Sequence, residues 1–119
     1  MDEADLHERL EMRLTSHGVY VTDFEVTDET LSIEYETATP GGDGVPHREM
    51  GRVLNLLLDA QKEEWEPRDV EATVFDIDRE ETGKRGTWHA ERDWLLAHED
   101  GELSEVELSQ RVLDTIEET

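Results

Sequence analysis

Between Thr30 and Thr37 the chain alternates, with Leu31, Ile33 and Tyr35 on one phase and Ser32, Glu34 and Glu36 on the other. Successive side chains of a strand point to opposite faces, so such a segment buries one face and leaves the other wet. A strand covered on both faces is thereby excluded. Residues 19–27 carry the same period, but Phe24 and Val26 fall out of step with Val19 and Val21, and a bulge near Thr22-Asp23 reconciles the two phases. With Asp28-Glu29 as the turn, the two segments form a hairpin. Residues 70–78 alternate again, and a turn over 79–86 followed by a fourth strand over 87–92 predicts a second hairpin.

Helical periods separate the hairpins. Leu6, Leu10 and Leu14 recur at four-residue spacing before Gly18, which predicts a one-stripe helix over 3–17. The segment 38–47 carries three glycines and two prolines and reads as a loop. After it, Met50, Val53, Leu54, Leu57, Leu58, Gln61 and Trp65 trace the buried face of the strongest helix, which Pro67 ends. A short helix over 93–99 stops at Gly101. Ser104 and Glu107 form a capping box, Leu103 staples onto Leu108, and Val112, Leu113 and Ile116 carry the inner stripe of a last helix over 104–117. The order predicts one α+β domain over 1–119, in two layers, with about four antiparallel strands and the helices on one face.

Composition then decides where such a domain works. Asp and Glu number 33 against 11 Lys and Arg, a formal charge of -22 on 119 residues, and only Lys62 and Lys84 are lysines. The Debye length is roughly 8 Å at physiological salt and about 3 Å at 1 M, so molar salt screens this self-repulsion far better. Carboxylates hold water and hydrated potassium or sodium ions at a surface, whereas lysine stems expose hydrocarbon that high salt penalises. The absence of cysteine removes disulfides and thiolate metal sites. The start MDEADLHERL has neither the basic nor the apolar region of a signal peptide, and no run reaches the ~18 apolar residues of a membrane span. A cytoplasmic protein that does not engage a membrane is expected.

The acidic, lysine-poor composition resembles that of proteins from salt-in haloarchaea. The element order resembles the secretion-chaperone-like architecture, in which small acidic proteins lay helices on a curved antiparallel sheet, and that resemblance implies dimerisation. The stretch from Gly101 through Leu103, Ser104, Glu107, Leu108 and Arg111 to Leu113 is similar to the helical hairpin called the short C-terminal domain, which implies an association surface over 93–117.

Candidate chemistry is sparse. His89, Glu91 and Asp93 alternate along the fourth strand, a spacing that offers one nitrogen and two carboxylates to a cation, yet in so acidic a chain the pattern reads as a solvated face. Asp76 and Asp78 resemble paired carboxylates that hold magnesium against a phosphate, with Lys84 and Arg85 in the turn beyond them. Gly83-Lys84-Arg85-Gly86 is not a phosphate-binding loop, since Asp78 stands where its first glycine is needed. Trp88 is the aromatic residue with a partner contact as its alternative to core packing. No Gly-x-Ser-x-Gly elbow supports a hydrolase, and the acidic last helix repels nucleic acid. No catalytic, metal or cofactor assignment follows. The expectation is a non-enzymatic module that binds another protein or forms a homodimer, with a metal-dependent phosphate-compound domain built on Asp76, Asp78, Lys84 and Arg85 as its alternative.

Overall fold

The computed structural model describes residues 2–39, 44–77 and 83–118. Its elements are α1 (Glu3–Thr15), β1 (Val19–Val26), β2 (Thr30–Thr37), α2 (His47–Lys62), β3 (Asp69–Asp76), β4 (Lys84–Ala90), α3 (Arg92–Glu99), α4 (Glu105–Leu113) and β5 (Glu117–Glu118). The α+β class holds, but the sheet is five-stranded and mixed, in the order β1-β2-β3-β4-β5. β2 and β3 are parallel, which corrects the antiparallel expectation, while the other neighbours are antiparallel. The reason is length. The 16-residue α2 rises about 24 Å, close to the roughly 26 Å of an eight-residue strand. It therefore returns the chain to the end at which β2 began, and β3 starts there beside it.

Rows of partners cross the sheet. Val26, Leu31, Val70 and Ala90 form one inner row, Phe24, Ile33, Ala72 and Trp88 the next, and Val21, Tyr35, Val74 and Gly86 a third. Phe24 and Val26 join the same face as Val19 and Val21 because the register shifts between Val21 and Asp23, at the bulge expected there. Against this face pack Leu6, Leu10 and Leu14 of α1 and Val53, Leu54 and Leu57 of α2, each no more than 1% exposed. Leu95 of α3 and Leu108 and Val112 of α4 belong to the same cluster.

Three boundaries differ from expectation. The helix over 104–117 stops at Leu113, and the chain turns through Asp114-Thr115 to lay Glu117 and Glu118 beside Thr87 and Gly86. The turn read over 79–86 yields to strand from Lys84 onward. Strand β4 ends at Ala90, Glu91 caps α3 and Asp93 lies in its first turn, so His89, Glu91 and Asp93 do not share a strand face. At the end of α2, Glu64 takes a left-handed conformation (φ 74°), and beyond it Trp65 is buried over the core.

Candidate functional site

The β3–β4 hairpin places the residues singled out in the sequence, and a bulge decides their fate. Val74 pairs with Gly86 but Phe75 pairs with Lys84, which leaves Arg85 as the extra residue of β4. Its side chain goes inward. Arg85 is 4% exposed; its Nε donates to the Gly44 carbonyl and its Nη1 to the Thr39 carbonyl, each at 2.8 Å, with Asp76 Oδ2 at 3.9 Å. A buried guanidinium whose Nε and Nη1 are engaged by main-chain carbonyls is an anchor for the connection between β2 and α2. Lys84, one residue earlier, is exposed. Asp78 lies outside the described residues, so the proposed carboxylate pair is seen only through Asp76.

Trp88 goes the same way as Arg85. It is 1% exposed, packed in the core, and its Nε1 donates to Tyr35 Oη at 3.0 Å. Core packing, the first of the two readings for Trp88, therefore holds, and its alternative as a partner contact is corrected by its burial. Burial raises the Tyr35 phenol well above its usual range; the Trp88 hydrogen bond opposes that rise, and the charge of Glu49 adds to it.

Glu49 is a polar member of this region that the sequence reading passed over. It is 5% exposed in the first turn of α2, accepts from the Thr39 hydroxyl through Oε2, and leaves Oε1 without a hydrogen-bond partner among the described residues. The signal was present: Glu49 is four residues before Val53 and eight before Leu57, on the apolar stripe. On the far side of the same loop, Val45 N donates to Glu118 Oε2 at 3.0 Å. Arg85, Glu49 and Glu118 thus grip one connection from three elements.

The outer side of the sheet is built from the complementary phase. Glu25, Ser32, Glu71 and His89 form one row; Asp23, Glu34, Thr73, Thr87 and Glu117 the next; and Tyr20, Glu36, Phe75 and Lys84 a third. Asp23 and Glu34 stand directly opposite each other, an arrangement of like charges that destabilises a ladder. A groove of ≈ 520 Å³ crosses this face, lined by Glu71, Thr73, Thr87 and His89 and walled by Asp114 and Thr115. Its end is ordered by stacking: the His89 and Trp94 ring centroids lie 6.0 Å apart, and the Arg111 guanidinium carbon sits 5.9 Å from the Trp94 ring centroid. Thr115 ties the wall to β4, its hydroxyl oxygen accepting from His89 N at 2.9 Å.

Among the described residues no three His, Asp or Glu side chains gather with the geometry to hold a metal, and no helix is long and apolar enough to cross a membrane. Fold and surface together define an α+β domain with an inward polar latch and an acidic open sheet. The chain belongs to the family described as "Domain of unknown function (DUF8159)", whose model matches residues 1–119. No curated protein and no solved structure matches it.

Proposed function

We propose that this chain is a salt-adapted, cytoplasmic, non-enzymatic interaction module, and that the open sheet face contacts a protein partner bearing positive charge. The observation that carries this reading is the opposition of Asp23 and Glu34 within a face that also holds Glu25, Glu36, Glu71 and Glu117. Like charges held opposite each other are a standing cost of roughly 0.2–1 kcal/mol, and a cationic surface removes it. Two such faces repel, so a second copy would have to dock elsewhere. The C-terminal hairpin offers less to the dimer implied by the secretion-chaperone-like and short C-terminal domain resemblances, because Leu95, Leu103, Leu108 and Val112 spend its apolar stripe on the core. Val106, 71% exposed, is its outward apolar residue.

The test is capture of partners in 2–3 M KCl by the wild type, by Glu34→Lys/Glu71→Lys, and by Glu105→Lys on α4 as a control. Loss of the same proteins from the sheet variant alone supports the face; equal capture by all three overturns it. Light scattering across the micromolar range measures self-association separately. The metal-phosphate alternative through Asp76, Asp78, Lys84 and Arg85 predicts a magnesium-dependent rise in melting temperature with a phosphate compound, since a ligand at a hundredfold excess over Kd adds about 2.7 kcal/mol.

A further inference from the structure

On the opposite side of the molecule, one cleft departs from the acidity of the whole. Where α1 ends against α2, a cleft of ≈ 370 Å³ is lined by Arg13, Ser16, His17, Arg52, Asn55 and Leu56, with Leu14 behind them and no carboxylate in its wall. In a chain of 33 acids and 11 lysines and arginines, an arginine ordinarily finds a carboxylate. Among the described residues neither Arg13 nor Arg52 lies within salt-bridge distance of one, whereas Arg9 pairs with Glu63 and Arg68 with Glu3. Arg13 also borders the neighbouring cleft of Asp5, Glu8 and Glu63, where Glu63 acts on it through its charge while hydrogen-bonding Arg9.

Arg13 alone has an ordinary explanation, since a cation in the last turn of α1 suits the helix dipole. Arg52 has no such role in the middle of α2. Its Nη1 lies 3.3 Å from His17 Nε2, and because a guanidinium only donates, the ring nitrogen is the acceptor in this contact. This contact holds Arg52 toward the cleft. The last carbonyls of α1 are hydrogen-bonded within the turn, Ser16 Oγ donating to Arg13 O, His17 N to Leu14 O and Gly18 N to Thr15 O, so the two guanidiniums offset the residual dipole of that end.

We infer that the cleft between Arg13, His17 and Arg52 is an anion site for a phosphate monoester, with Asn55 as a further amide donor and partly buried Leu56 against the organic group. Two fixed positive charges match a dianion better than a single carboxylate, and guanidinium forks meet phosphate oxygens pairwise. The inference is independent of the open sheet face. It concerns another surface and needs no metal.

The test is a nitrogen-proton NMR titration of the full chain with two probes, inorganic phosphate and phenyl phosphate, read at His17, Arg52 and Asn55. Saturable shifts confined to the cleft support the site. Tighter binding of phenyl phosphate assigns the ligand to the ester class, and equal binding of both assigns the site to the phosphate group itself, free phosphate included. Arg52→Gln and Arg13→Gln should each weaken binding about tenfold, the equivalent of ~1.4 kcal/mol, while Arg48→Gln, an exposed change on α2, leaves it intact. The spectra report folding directly. Absence of saturation with both probes, or equal loss from Arg48→Gln, overturns the inference.

Discussion

Trp88 Nε1 donates to Tyr35 Oη across the intervening strand β3, 3.0 Å apart, and both side chains are sealed from solvent. The bond spans β2 to β4 because the strand between them contributes small Ala72 in the row of Trp88. It ties the two hairpins together through their polar atoms inside an otherwise apolar layer. Removing either partner strands the other in a medium that offers no water.

Tyr35→Phe should accordingly destabilise the fold by about 1–3 kcal/mol, the cost of an unsatisfied buried donor, measured by urea unfolding at neutral pH. The same residue sets an alkaline limit. Because the folded phenol titrates above the unfolded one, its stabilisation is complete below about pH 10 and declines as pH rises toward the folded value, at roughly 1.4 kcal/mol per pH unit for one proton. The difference in unfolding free energy between wild type and Tyr35→Phe should shrink over that window. A constant difference would show that Tyr35 does not titrate on unfolding.

Arg85→Met removes the donors that hold Thr39 O and Gly44 O. A loss of about 2–3 kcal/mol is expected, because the Gly44 carbonyl loses its partner in a buried setting and the Thr39 carbonyl in a half-buried one. Lys84→Glu, at the adjacent exposed position, should change stability by no more than about 0.5 kcal/mol. Equal effects in thermal unfolding would mean that Arg85 is not an anchor.

Gly86 is where β5 passes closest to β4. A Cβ there would stand 2.7 Å from the Glu117 carbonyl oxygen and 2.8 Å from Val45 Cγ2, so Gly86→Ala must push β5 away or strain β4. Overpacking of this kind costs about 1–3 kcal/mol. Hydrogen exchange should show Thr87 and the 117–118 segment losing protection, with β1 and β2 unchanged.

Salt should govern the whole fold. On dialysis from molar KCl to 0.1 M, where the Debye length grows to about 10 Å, repulsion within a chain of charge -22 should abolish the near-ultraviolet dichroism of Trp65, Trp88 and Trp94. A melting temperature indifferent to KCl would remove the salt-adapted reading.

Local elements were legible in the residues alone because each rests on a short-range rule. Alternation placed β2 over Thr30–Thr37, the phase change located the bulge of β1, and Ser104 with Glu107 formed the expected capping box. Sheet order was not legible: whether β3 or β4 lies beside β2 depends on where α2 delivers the chain, which no periodicity encodes. The short β5 escaped because two residues carry no period, and their pairing is decided by the proximity of Gly86 and Thr87. The polar latch escaped for a related reason. A one-residue bulge reverses the direction of every side chain beside it, so Arg85 reads from sequence as a surface cation and is placed by the tertiary structure among buried carbonyls. The sequence by itself determined the period of each element and the charge of each face; the tertiary structure alone decided which faces meet, because that depends on chain ends brought together across long separations.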